Sequence, residues 1–347
     1  MLTKSREILH PSGFKFKTPL LIPSFSSKGF SINKRDIGGK KVHVSDLYDV
    51  MLVCKELLHE SLLVSAYDLH YQLIPRPHDF HCTEIVFIDS GGYETSNSYD
   101  FAGVNETNHE INDWTESDLA NTLQSWPEEY PAIIVNFDHG KVRLPFSEQV
   151  ASAKAFFKKY GKNKLTNFLI KPETKEQSGI QIESVLKHLK QVKEFNIVGV
   201  TEKEIGSSIL NRMVNISKLR LALDRINPAI PIHVFGSLDP ITSTLYYMAG
   251  AEIFDGLTWL KFSYHDSLAI YTHNYAVMND EIGIHVDDKG LKIKSLTGNI
   301  NYLGKFKFVL MDFYSTRDFS VFKEIGGKNY PSILENAYKR YSNNLTK

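Results

Sequence analysis

Eight short apolar runs, spaced along most of the chain with helix-like stretches between many of them, constrain the fold more than any other feature. They are PLLIPSF (19–25), LLVSAY (62–67), EIVFI (84–88), AIIVN (132–136), NFLI (167–170), NIVGV (196–200), PIHVF (231–235) and AEIF (251–254). Most are rich in Ile, Val and Phe and nearly continuous in hydrophobicity. A strand with one wet face alternates apolar and polar residues; a strand covered on both faces does not, and that is the habit of parallel sheets under helices. Between the runs, Ser147 can cap SEQVASAKAFFKKYG, whose Val150, Ala153, Phe156 and Phe157 share one face before Gly161 ends it. Asp239-Pro240 places a capping side chain before a proline at the first helical position, and Gly250 stops that helix. Residues 178–194 and 206–226 read as two further helices. Strand–helix repeats in this order imply right-handed crossovers and a parallel sheet. Eight strands close a ring, so the expected fold is α/β, a (β/α)8 TIM barrel; a doubly wound open sheet is the alternative.

The length of 347 residues suits one such barrel, which commonly runs roughly 200–400 residues. Apolar residues at 42% and charged residues at 23% exclude a disordered or fibrous chain. Lys+Arg and Asp+Glu are both 40, so no global cationic field draws in nucleic acid. The balance is uneven, however: no Lys or Arg lies between Arg76 and Lys141, where thirteen acids fall. The remainder is therefore net basic and leaves room for a local binding face. Cys54 and Cys82 make neither a disulfide framework nor a Cys-rich metal site, and read as two buried thiols. The N-terminal MLTKSREILHPSGFKFK has no apolar signal core, and no run approaches the ~18 apolar residues of a membrane span. A soluble, cytoplasmic protein without a membrane partner is expected.

Two stretches break the rhythm. Residues 95–112 are polar and Asn-rich, the composition of a lid, a binding loop or an unstructured segment. Beyond the eighth run, IGIHV and LKIKSL flank DDKG as in a β-hairpin, KFKFVLMDFY reads as another strand, and NYPSILENAYKRYS as a helix. The expected organisation is a barrel core with an N-terminal extension over 1–269, a β-rich insertion over 270–330, and a closing helix over 331–347.

Active sites of such barrels form where the strands end. The third run leads into Asp89-Ser90-Gly91-Gly92-Tyr93-Glu94, the fourth into Phe137-Asp138-His139-Gly140, and the sixth into Thr201-Glu202. The seventh leads into Gly236-Ser237 and the eighth into Asp255-Gly256. Any one of these aspartates serves equally well as a turn or cap residue. Three at equivalent depth point to a site. Gly91-Gly92 admits close backbone approach to a flat ligand.

These residues resemble a family. IVFIDSGGYE (85–94) is similar to the DSGGF motif of the tRNA-guanine transglycosylase superfamily, and HVFGSLDPITSTLYYMAGAEIFDGLTWLK (233–261) to its later block. VNFDHG (135–140) resembles its base-binding segment and NIVGVTEKEIG (196–206) its glycine-rich segment, in the family's order. The resemblance implies that Asp255 is the nucleophile at C1′ of the target nucleotide and Asp89 the general acid and base. It implies that Asp138 accepts hydrogen bonds from a guanine-type base and that Tyr93 stacks on it. Ser90, Gly92, Gly199 and Val200 would supply polar or backbone contacts, Gly236 would line the same site, and Lys261 would meet phosphate. Base exchange at an anomeric carbon is a retaining double displacement, which calls for one nucleophilic carboxylate and one acid/base carboxyl. Asp255 would have to stay ionised while Asp89 holds a proton part of the time, and the target base would have to leave its stack.

The sequence also departs from that family. Residues 256–347 contain no Cys, so the zinc site of the tRNA enzymes is not expected, and His265, His273 and His285 do not replace it. No other cofactor is expected. NFLIKPE (167–173) puts Lys171 where a Gln-containing base loop is usual, and Glu94 stands where Gln is usual. These departures resemble the branch that inserts 7-deazaguanine derivatives into DNA. The expected partners are therefore DNA, or else tRNA, together with a free 7-deazaguanine base. An ATPase or accessory protein partner is left open. Lys289, Lys292, Lys294, Lys305 and Lys307 in the supposed hairpin could touch phosphates or merely protect a sheet edge; Lys154, Lys158, Lys159, Lys162 and Lys164 are equally ambiguous. A tRNA enzyme, a non-catalytic nucleic-acid-binding paralogue and a barrel glycoside hydrolase are the competing readings.

Overall fold

The computed structural model describes residues 1–79, 83–96, 111–138, 142–279 and 283–345. Its centre is a closed barrel of eight strands arranged in chain order. They are β1 (Leu20–Phe25), β2 (Ser61–Ser65), β3 (Ile85–Asp89), β4 (Ala132–Val135), β5 (Leu165–Ile170), β6 (Ile197–Thr201), β7 (Ile232–Phe235) and β8 (Ile253–Gly256). The ladders are parallel, including the β8–β1 pairing. All eight apolar runs are strands, and the open-sheet alternative is excluded. Every residue of β1, β2 and β4 is buried, which is why these runs carry no polar alternation.

The chain divides into two compact units. The first comprises residues 9–14 and 24–169. After β1 it carries an antiparallel pair, Ile32–Ile37 with Lys40–Ser45, then α1 (Leu47–Cys54). α2 (Ala66–His70) follows β2, α3 (Glu116–Gln124) follows β3, and α4 (Phe146–Tyr160) follows β4. α3 opens with a capping box in which Thr115 and Asp118 satisfy each other's backbone N–H. α4 begins two residues earlier than a Ser147 cap would place it. Pro145 is its N-cap, with no side-chain capping bond, and Ser147 lies within the first turn and so does not cap it. Cys54 is fully buried and its thiol is pushed up to about 11 by that burial, which leaves it unreactive. Cys82 and residues 97–110 of the polar 95–112 stretch lie outside the described residues.

The second unit comprises residues 1–8, 15–23 and 170–347. α5 (Ile182–His188) is shorter than the 178–194 helix expected and runs into a 3-10 turn, Leu189–Val192. α6 (Ile209–Ile226) is capped by Ser208, and α7 (Pro240–Ala249) by Asp239, whose carboxylate accepts from the Ile241 and Thr242 N–H groups at 3.0 Å. The largest correction concerns the β-rich insertion expected over 270–330. The second arm of the supposed hairpin, LKIKSL, and the KFKFVLMDFY strand belong instead to one 29-residue helix, α8 (Asp288–Thr316), while residues 283–286 of the first arm precede it without forming a strand. Asp287 in DDKG is not a hairpin turn residue but an N-cap, accepting from the Gly290 N–H at 2.7 Å. Leu291, Ser295, Asn299, Leu303, Phe306, Leu310 and Phe313 are buried at steps of three and four, so a helical period overrides the brief alternation of LKIKSL. α9 (Tyr330–Leu345) follows as the closing helix read from NYPSILENAYKRYS. Among the described residues, the only strands after β8 are the short antiparallel pair Ser263–His265 and Leu268–Ile270.

At the N-terminal end of β8 the second unit buries a charge network. Glu252 and Arg220 are fully buried; Glu252 pairs with Arg6 and lies 3.6 Å from Arg220. Arg220 also reaches Asp224 at 2.8 Å and donates to the Ile230 carbonyl at 2.7 Å. Burial lowers the Arg220 guanidinium to about 10. Gly250 ends α7 at φ +109°, and a methyl group there would stand 2.5 Å from Arg220 Cγ. Arg220→Met is expected to cost about 1–3 kcal/mol by leaving the Ile230 carbonyl without its donor and Glu252 with Arg6 as its remaining guanidinium, measured by urea denaturation.

Candidate active site

In the second unit the seventh and eighth strands build a carboxyl centre. Phe254 and Val234 are register partners, so Asp255 and Phe235, one residue on, share the opposite face with His233. Asp255 is 5% exposed and His233 fully buried. His233 Nε2 lies 3.0 Å from Asp255 Oδ1; with the proton on Nε2 the imidazole donates. The Gly236 N–H donates to the same oxygen at 3.3 Å. Phe235 stacks on the His233 ring at 3.8 Å between centroids, which fixes the imidazole plane. Gly199 is the register partner of His233 and lies on that face, whereas Val200 pairs with Val234 and turns its side chain to the other. Val200 therefore has only its backbone to offer a ligand on the Asp255 side.

The segment after β8 is braced by α8. Asn299 donates to the Trp259 and Phe262 carbonyls, both at 2.7 Å, and accepts from the Tyr264 N–H at 2.7 Å. Lys261 sits half-buried within the segment these bonds hold. After β5 and β6, Lys171 pairs with Glu204 at 2.7 Å, and Thr201 donates to the same Glu204 oxygen at 2.7 Å. Glu202 accepts from Tyr246 at 2.8 Å and Arg212 at 3.2 Å. Lys171 is thus an ion-pair partner joining two loops.

In the first unit Asp89 ends β3, in register with Ser65 at the end of β2. The loop beyond it abuts the loop after β4. A methyl group on Gly92 would stand 2.8 Å from both Cβ and Oδ2 of Asp138, so only glycine lets Asp138 lie there. Arg143 donates to Asp138 Oδ1 at 3.0 Å. Ser90 is buried and its carbonyl accepts from Trp114 at 2.8 Å. Lys28 donates to the Tyr93 carbonyl at 2.9 Å and places its ammonium 4.5 Å from the centre of the Tyr93 ring. His139 and Gly140 lie outside the described residues.

Beneath this loop sit two carboxyls with hydroxyl partners. Glu94 is 1% exposed and accepts from Ser26 on one oxygen and from Ser65, at 2.7 Å, on the other. Asp68 is fully buried and accepts from the Ser27 N–H at 2.7 Å and the Ser27 hydroxyl at 2.5 Å. Burial, and then the nearby Glu94, hold the Asp68 carboxyl well above its usual range, against the lowering effect of the Ser27 bonds.

Asp89, Ser90, Gly92, Tyr93 and Asp138 therefore occupy two touching loops of the first unit. Asp255, Gly236 and Gly199 occupy one face of the second. Sequence reasoning missed His233, Lys28, Arg143, Asp68 and the serine partners of Glu94. His233 had a signal, a lone imidazole inside an otherwise apolar strand. Among the described residues no group of three or more His, Cys, Asp or Glu side chains is placed to hold a metal ion, and no helix is long and apolar enough to cross a membrane. The sequence matches no model of a known protein family and no curated protein.

Gly92→Ala is expected to push Asp138 from its place and to destabilise the chain by about 1–3 kcal/mol through overpacking, read from the urea midpoint. A carboxyl whose folded pKa exceeds its unfolded value makes folding bind a proton. The contribution of Asp68 to stability therefore falls as pH rises from about 4 to its folded pKa. Asp68→Asn should remove that fall. Comparing the pH dependence of unfolding free energy in the two proteins checks it, and parallel curves would refute the assignment.

Proposed function

We propose that this protein is a base-exchange transglycosylase, a pentosyltransferase that replaces guanine in a polynucleotide, DNA in preference to tRNA, with a 7-deazaguanine derivative. The observation that carries the reading is the Asp255 carboxyl at the end of β8, nearly buried, with one oxygen bonded to His233 and the Gly236 N–H. These bonds fix the direction in which the carboxylate points, which suits a nucleophile that must attack one carbon and later leave. Asp138, seated against Gly92 and steadied by Arg143, offers a carboxylate to the N–H edge of a purine. Tyr93, whose ring has the Lys28 ammonium 4.5 Å from its centre, offers an aromatic ring for a base to stack on.

In the first step an Asp255 oxygen bonds to C1′ of the target nucleotide. The C1′–N9 bond breaks, its electron pair stays with guanine, and Asp89 gives the departing base a proton. In the second step the incoming base loses its N9 proton to Asp89, N9 bonds to C1′, and Asp255 departs as carboxylate. Two inversions give overall retention. His233 acts as a positioning residue through Asp255. The nucleotide enters flipped from its stack, and the reading places the protein in the cytoplasm with nucleic acid, without a zinc site.

Labelled guanine offered with DNA and with tRNA tests this directly. Label should enter DNA and a covalent protein–DNA adduct should survive denaturation. Asp255→Ala should abolish the adduct, and Asp89→Asn should slow exchange by about 10²–10⁴-fold. Label in tRNA alone would transfer the reading to a tRNA enzyme; label in neither polymer, or an undiminished adduct in Asp255→Ala, would refute it.

A further inference from the structure

α8 carries five lysines against two acids, Asp288 and Asp312, which stand toward its two ends. At 3.6 residues per turn, the face opposite its buried stripe carries Ile293, Thr297, Asn301, Gly304 and Phe308. Lys294 and Lys305 run along one edge of that face and Lys289 along the other, with Lys292 beyond it. Lys289, Lys292, Lys294 and Lys305 are all exposed, and among the described residues none forms an ion pair. Asp288, the nearest acid in sequence, is instead 3.2 Å from His273. Phe308 is 73% exposed.

We propose that this face of α8 is a docking track for the phosphodiester backbone of a nucleic acid. The proposal rests on the base-exchange reading and names the surface that would hold the polymer. Three observations carry it. The lysines are exposed and unneutralised and flank the solvent face on both edges, so their charge is available to a polyanion lying along the helix. From Lys289 to Lys305 the helix runs about 24 Å, which is close to seven phosphates of one strand at about 3.4 Å each. The same helix, through Asn299 on its buried side, clamps the Trp259 and Phe262 carbonyls just beyond Asp255, so the track and the segment following the nucleophile form one braced piece.

The centre of the face distinguishes the occupant. A helix that lies on a membrane pairs its lysines with a broad apolar surface. Here Thr297, Asn301 and Gly304 interrupt it. A single exposed aromatic among lysines suits a chain that offers both phosphates and stacking bases, more than an acidic peptide.

The test is salt-dependent binding of a short fluorescent DNA duplex to the full chain between about 50 and 200 mM salt. The variant replaces Lys289, Lys292, Lys294 and Lys305 by Gln; a second replaces the same four by Arg, and thermal unfolding checks that both fold as the parent does. In the Gln variant the slope of log affinity against log salt should flatten by about 0.9 for each lysine that meets a phosphate. The Arg variant should keep the parent slope. A parent that binds DNA while the Gln variant keeps its slope overturns the track and leaves the base-exchange reading intact. A parent that binds neither DNA nor tRNA at low salt overturns both. Tighter lysine-dependent binding to phosphatidylserine vesicles or to polyglutamate than to DNA overturns the choice of partner.

Discussion

A carboxyl taken out of water must receive hydrogen bonds or opposite charge in exchange, and this chain meets that demand in different ways at different sites. An unpaired buried charge costs several kcal/mol. At the N-terminal end of β8, Glu252 is met by guanidinium groups: it pairs with Arg6 and lies close to Arg220. At the C-terminal strand ends, by contrast, Asp255 is met by an imidazole and a backbone N–H. Glu94 and Asp68 are met by serine hydroxyls and a backbone N–H. Hydroxyls, amides and an imidazole orient a carboxyl by hydrogen bonds, whereas a guanidinium adds a full opposite charge.

The two strand-end arrangements also differ in what they order. His233 reaches Asp255 because inward residues recur every second position on adjacent parallel strands, and Phe235 on the same face keeps the ring from turning. That is rigid support from the barrel wall, the kind of placement a reacting group requires. The loop after β3 is held instead from beneath, by Glu94 bridging Ser26 and Ser65, and from the side by Lys28. Glu94 thereby ties the ends of β1 and β2 to the loop that carries Tyr93 and abuts Asp138. Its unusual place in a family-like motif gains a physical account: a carboxylate accepts from two hydroxyls at once, whereas an amide offers only one oxygen.

Replacing the expected hairpin by α8 changes what the region after β8 can do. A two-stranded hairpin would have been an isolated flap. A 29-residue helix packed along its whole buried stripe is a brace, and Asn299 uses it to satisfy two carbonyls of the segment after β8. Burying one face leaves Lys289, Lys294 and Lys305 along the edges of the other, so a charge pattern that read as edge protection becomes a pair of basic margins on a helix.

The barrel was legible in the sequence because eight runs buried on both faces lose the polar alternation that any half-wet strand must show, and Asp239-Pro240 with Gly250 marks a helix by chemistry confined to its own ends. The positions of Asp89, Asp138 and Asp255 at strand ends followed from the same runs. α8 was misread because LKIKSL alternates over a window too short to betray its longer period, while DDKG serves a helix cap as readily as a turn. Only the tertiary structure decided that His233 meets Asp255, that Gly92 makes room for Asp138, and that Ser26 and Ser65 converge on Glu94. Each of these joins residues from different strands or loops, and a sequence records the order of residues along the chain, whereas such contacts depend on the register between strands that only folding sets.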